Sequence, residues 1–171
     1  MKKSFPILIL LLIGIINAIL PSCKKEDAVG TDKELLDLAQ ATAGFTWYKN
    51  ANTLLAKSNA SGHSEPFLKT RFNATASTKL DAGGRPIDGT SFPDGSLIVK
   101  ELYKNENTLN RYAILYKKTG HPDADEKGWV WGYINADGTV AAAAAQKGSG
   151  CKSCHSQGGN IDYILMKKYF P

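Results

Sequence analysis

The sequence predicts an α+β fold, mainly one antiparallel β-sheet, with an N-terminal helix and a C-terminal helical segment. Three observations carry that expectation. Apolar residues recur at helical spacing from Leu35 to Ala39 and change to alternation around Phe67. β-Prone runs then follow one another, separated by the turn signals Phe92-Pro93-Asp94-Gly95 and Asn135-Ala136-Asp137-Gly138. Finally, Cys151 and Cys154 have a spacing that suits one tight helical turn.

Taken in order, Leu35, Leu36, Leu38 and Ala39 form the stripe of the first helix, which Thr31 or Asp32 can cap and Gly44 ends. Phe45, Trp47 and Tyr48 supply core bulk, and a second short helix is expected over residues 52–57. In the first strand Leu68, Thr70 and Phe72 alternate with Phe67, Lys69, Arg71 and Asn73. Gly83-Gly84-Arg85-Pro86 reads as a loop, and in the turn at 92–95 Pro93 presets one φ while Gly95 accepts a positive one. Residues 96–103, 111–117 and 129–134 give further strands, the last closed by a hairpin-like turn at 135–138. The alanine run at 141–145 reads as a helical turn or a spacer, and no internal repeat is present.

The 171 residues allow one domain plus appendages, and 43% hydrophobic with 22% charged residues is an ordinary globular balance. That excludes a disordered tail, a collagen-like chain and a multi-pass membrane protein. The net charge of +5 is scattered, without a run of five basic residues, which argues weakly against a nucleic-acid binder. Three cysteines exclude a disulfide framework.

Residues 1–22 read as an address. Lys2 and Lys3 precede an apolar run over residues 5–20, which ends in Leu20-Pro21-Ser22-Cys23. A cysteine directly after a small residue points to a bacterial lipoprotein signal, with the Cys23 thiol as the lipidation nucleophile. Pro21 departs from the usual lipobox, and a plain signal peptide or an uncleaved anchor are the alternatives. Each buried lipid methylene adds about 0.8 kcal/mol of membrane affinity, so several chains hold firmly. Residues 23–31 then form a polar tether, and 32–171 a domain exported to the periplasm or cell envelope.

Cys151-Lys152-Ser153-Cys154-His155 is C-x-x-C-H, the attachment sequence of haem c. Two thiols on one turn reach the two vinyl groups of one haem, and the next residue offers imidazole to the iron from the same side. A thioredoxin-like site normally sits early in a chain. A zinc site would have to draw further ligands from His63, His121 or Cys23, and a disulfide across this spacing would be unusual. One motif means one haem, with His155 as iron ligand. Met166, eleven positions after His155, reads as a packing residue, so the iron is either five-coordinate or takes a histidine from upstream; His63 and His121 are the candidates, and their polar stretches favour surface histidines. An iron with an open sixth position binds small molecules. In the strand around Lys100, Ile98, Lys100 and Leu102 share one face, and Leu97, Val99 and Glu101 the other. An ammonium between apolar neighbours is costly to bury, a cost that a nearby haem would resolve; from the residues alone the ordinary reading is a strand lysine that faces solvent.

The blocks from His63-Ser64-Glu65-Pro66-Phe67 through Asn73, Phe92-Pro93-Asp94-Gly95 through Lys100-Glu101, Gly128-Trp129, and Cys151 to His155 followed by Asp162-Tyr163-Ile164-Leu165 resemble, in that order, the cytochrome P-460 family. The resemblance covers roughly residues 40–171. It implies a mostly β domain with haem c at its C-terminal end and a lysine bonded to the macrocycle, here Lys100. It also implies a distal arginine, here Arg71, that hydrogen-bonds hydroxylamine or a nitrosyl oxygen. Hydroxylamine-oxidising members use a distal carboxylate as proton acceptor on the strand that aligns with 111–118, a stretch without Asp or Glu; the best register places Ala113 there. The related cytochrome c-prime-beta proteins lack the cross-link and bind nitric oxide. The expected function is therefore redox chemistry on hydroxylamine, nitric oxide or peroxide, with gas binding or electron transfer as the alternative. The expected partners are a small ligand at the iron, a redox protein and, through the lipid, a membrane; homodimerisation stays open.

Overall fold

The computed structural model describes residues 25–171. The leader and Cys23 lie outside the described residues. Helix α1 spans Gly30–Gln40, followed by the two-residue strand β1 (Thr46–Trp47), a 3-10 turn at Tyr48–Asn50 and β2 (Leu55–Ala56). Strand β3 (Phe67–Phe72) and the single turn α2 (Ala74–Ser77) lead to the long strands β4 (Leu97–Asn105), β5 (Thr108–Lys117) and β6 (Trp129–Asn135). The short β7 (Val140–Ala142) and the single-turn helices α3 (Lys152–His155) and α4 (Met166–Tyr169) complete the order. All pairings within the sheet are antiparallel, in the order β1-β3-β4-β5-β6-β7, with β2 also on β3.

The sheet buries both faces, and strand alternation sorts the side chains between them. On one face Leu97, Val99, Ile114, Val130 and Ile134 pack under Leu35, Leu36 and Ala39 of α1. On the other, Leu68, Phe72, Ile98, Leu102, Leu115 and Trp131 meet Ile161, Tyr163, Ile164 and Met166 of the C-terminal segment. Helix α1 lies close on β6 because Gly132 carries no side chain: a Cβ there would stand 2.8 Å from Leu35 Cδ1.

The local expectations are met in part. Both turns close, Ser96 N–H donating to Pro93 O at 3.1 Å and Gly138 N–H to Asn135 O at 3.0 Å. Helix α1 starts at Gly30 and ends four residues before Gly44, and its expected caps have other work. The Thr31 hydroxyl donates to Asp123 Oδ2 at 2.6 Å, and Asp32 Oδ1 accepts from the Ala144 N–H at 2.8 Å. Within the stretch read as a tether, Ala28 N–H donates to Gly138 O, and Glu26 O accepts from Val140 N–H. The helix expected over 52–57 is absent. Leu55 and Ala56 instead pair with Leu68 and Phe67, a long-range bond pattern that local propensity does not encode. The alanine run divides between β7 and a 3-10 turn at Ala144–Gln146. The C-terminal segment is helical only in two isolated turns, joined by a loop in which Asp162 and Tyr163 have positive φ of 47° and 72°.

Candidate haem site

The cavity-facing side of the sheet is closed by residues 148–171, and between them lies a cavity of about 250 Å³. Its floor is β3, β4, β5 and β6, contributing Thr70, Lys100, Ala113 and Tyr133; Cys151, Cys154, His155 and Met166 form its roof, and His63 its rim. Each long strand supplies alternate residues, so the register Thr70↔Lys100↔Ala113↔Tyr133 runs straight across the floor.

The C-x-x-C-H segment is one helical turn. Cys151 O accepts from the N–H groups of Cys154 at 3.2 Å and His155 at 3.0 Å, which turns the two half-buried, free thiols and the imidazole toward the same space. Gly148 opens this segment with a φ of +67° and lies against the Trp131 indole; a Cβ there would stand 2.6 Å from it. Trp131 in turn meets the His155 ring edge-on at 5.4 Å, and its Nε1–H is anchored on Asp125 Oδ2 at 2.8 Å.

His155 has a fixed tautomer. Its Nδ1–H donates to the Tyr163 carbonyl at 2.7 Å, which leaves Nε2 with a free lone pair. Burial, and then the Lys100 charge, pull its pKa down to about 4, so the ring is neutral at physiological pH. The loop holding Tyr163 is pinned by Asp162, whose carboxylate accepts from Phe92 N–H at 3.0 Å, Lys117 Nζ at 3.1 Å and Trp129 Nε1–H at 3.1 Å. Burial also pushes the Cys151 thiol up. Lys100 keeps part of its surface free toward the cavity but is otherwise surrounded by protein. That desolvation lowers its amine to about 8, so an unprotonated fraction exists near neutral pH.

These residues fit a c-type haem. Two free thiols and a lone-pair imidazole share one turn, and Ile98, Leu115, Ile164 and Leu165 supply apolar walls. Cys151 and Cys154 are the residues that would hold the macrocycle edge, and His155 the one that would hold the iron.

Arg71 is not at this site. It follows Thr70, so alternation turns it to the α1 face, where it is fully buried. There its Nε donates to Glu101 Oε1 at 3.0 Å, and its Nη atoms donate to the carbonyls of Ala41, at 2.5 Å, and Ala39. It closes the C-terminal end of α1. His121 lies on the turn after β5, where its Nδ1 accepts from Asp123 N–H at 3.1 Å. His63, in contrast, reaches the cavity: its ring centre lies 6.3 Å from that of His155, and its Nδ1 is 3.3 Å from the Tyr133 hydroxyl. Beside them Arg111 stacks on Tyr133 at 4.7 Å and pairs with the buried Glu65 at 3.0 Å. Sequence reasoning missed Trp131 and Asp125, and its preferred surface reading of His63 is corrected by the cavity position. The only signal for His63 was its place at the head of the first resemblance block.

No curated protein and no solved structure matches the chain. The model of one family, Cytochrome P460, matches residues 46–166, which run from β1 through the floor strands and the C-x-x-C-H turn into α4. With that match covering most of the chain, and with the cavity donors that such a group requires, the protein belongs to the cytochrome P460 family of c-type haem proteins.

Proposed function

We propose that the protein is an exported, lipid-tethered cytochrome with a single haem c, and that it performs redox chemistry on small nitrogen oxides, hydroxylamine or nitric oxide. The observation that carries this reading is the meeting of Cys151, Cys154, His155 and Lys100 on one cavity. Cys151 and Cys154 would hold the haem as thioethers, each by addition of its S–H across one vinyl group with no other product. When bound, the haem supplies an iron that cycles between ferrous and ferric states.

Lys100 is the residue for a macrocycle cross-link. Forming an N–C bond there removes one N–H and one meso C–H, and two electrons and two protons pass to an oxidant of the peroxide class. The bond would distort the ring and alter the reactivity of its iron. Cys23 supplies the proposed anchor, on its place directly after the small residue that ends the apolar run; no helix among the described residues is long and apolar enough to cross a membrane.

A second reading, gas binding or electron transfer, is favoured by Ala113. It stands directly across from Lys100, and the best register with hydroxylamine-oxidising members places their proton acceptor at this position. Two measurements on haem-loaded protein decide. A tryptic digest should keep the Lys100 peptide attached to the 151–155 peptide through the haem, with a red-shifted ferrous Soret band; clean separation of the peptides removes the cross-link. Turnover of hydroxylamine with an electron acceptor supports the enzyme, whereas nitric oxide binding without turnover supports the second reading.

A further inference from the structure

Most of the stretch read as a polar tether belongs to the folded domain. Glu26 O accepts from Val140 N–H at 2.8 Å, Asp27 forms an antiparallel bridge with Thr139, and Ala28 N–H donates to Gly138 O at 2.9 Å. These residues make a strap along the β6–β7 hairpin. Helix α1 follows directly at Gly30 and is packed on β6. Between Cys23 and the strap lie only Lys24 and Lys25.

Reach is the decisive quantity. Nine free residues, 23–31, would extend about 30 Å and let the domain turn over. The three steps from Cys23 to Glu26 extend only about 10 Å. The ten residues of β5 give the sheet a length of roughly 33 Å. The chain outside the strap is therefore too short to lead past the domain and present its other end.

The strap marks one end of the sheet. Because the long strands pair antiparallel, β4 finishes at this end with Asn105, β5 begins there with Thr108, and β6 finishes there with Asn135. Lys25, Lys104, Asn110 and Asp137 line one groove on it. At the opposite end are the turn at 92–95, Lys117 and the loop over 118–128. The C-x-x-C-H turn is tied to that loop, with Lys152 Nζ donating to Glu126 Oε2 at 2.7 Å.

We propose that the end of the sheet formed by residues 104–110 and 135–140 is held at the lipid headgroups of the bilayer, and that the C-x-x-C-H turn points to the aqueous side. The inference rests on the lipid-anchor reading above and adds an orientation to it. Charge does not set this orientation, since Lys25 and Lys104 share that end with Glu26, Asp27, Glu106 and Asp137. It should therefore be the same on neutral and on anionic bilayers.

The test uses the full chain, processed and haem-loaded in a bacterial host. The protein is placed in phosphatidylcholine vesicles that carry a photoreactive headgroup, with and without phosphatidylglycerol. The mass of the N-terminal peptide first reports lipid on Cys23; an unmodified cysteine would remove the anchor reading itself, independently of orientation. With lipid present, illumination should label 104–110 and 135–140 several-fold more than 92–95 and 118–128, in both lipid mixtures. Labelling of the lipidated N-terminal peptide is the internal control. Eighteen Gly and Ser residues inserted between Lys24 and Lys25 give a flexible tether with an r.m.s. length of about 25 Å, and should even out the labelling of the two ends. Equal or reversed labelling in the original chain overturns the proposal. So does a preference that survives the insertion or needs phosphatidylglycerol, because the cause would then be the surface and not the short strap.

Discussion

Arg71 and Lys100 are both cations on central strands, and parity sends them to opposite faces of one sheet. Lys100 shares its face with Ile98 and Leu102, and that was legible because alternation in a single strand needs no other information. The same rule, applied to β3, places Arg71 with Lys69 and away from Thr70, although its residue type resembles a distal arginine. Arg71→Met should therefore act on stability. It leaves the buried Glu101 carboxylate with only the Tyr103 hydroxyl, and the Ala39 and Ala41 carbonyls without their donor. Breaking a buried pair of this kind costs about 3–5 kcal/mol. Urea unfolding should show that loss while the absorption spectrum of the haem-loaded protein is unchanged. A shifted spectrum with wild-type stability would put the arginine at the haem. His63 was illegible for the opposite reason: a histidine between Gly62 and Ser64 carries no pattern, and only the folded chain brings Tyr133 of β6 and His155 of the C-terminal segment beside it.

The long strands β4, β5 and β6 were legible because each is a run of seven or more residues rich in β-branched, aliphatic and aromatic side chains near turn signals. Short elements such as β2 were not, because two residues carry no period and their identity comes from the strand they join. The single turn α3 was legible only through the chemistry of its cysteines. Its position depends on Gly148, which approaches the Trp131 indole more closely than any side chain would allow. Gly148→Ala meets both a positive φ, at a cost of about 1–2 kcal/mol for an L-residue, and overlap with the indole. The variant should melt at lower temperature and change the near-ultraviolet circular dichroism of Trp131, with His155 displaced through the same contact. Wild-type values in both would show that the turn is held elsewhere.

At the scale of the whole molecule, the cavity joins residues far apart in the chain, from His63 through Lys100 and Tyr133 to His155, so its presence was inferred from a motif and its walls were not. The proposed address is the reverse case: it rests on residues 1–23 alone. Cys23→Ser should release the protein from membranes into the soluble fraction, because the lipid is the proposed anchor. A variant that still sediments with membranes after a salt wash would rule out lipidation as the attachment.

Neighbouring residues on β4 carry opposite charges to opposite sides: Lys100 toward the cavity, Glu101 toward Arg71. A slip of one residue between β3 and β4 would exchange them. Lys100 would then face a buried guanidinium of like sign, and Glu101 would be stranded among Ile98's apolar neighbours. Hydrophobic pattern alone penalises such a slip only softly here, since both faces of β4 are apolar. The charge pair makes the error expensive. It acts as a proofreading device during sheet assembly, favouring the one alignment in which the lysine arrives opposite the cysteines before any prosthetic group is there to select it.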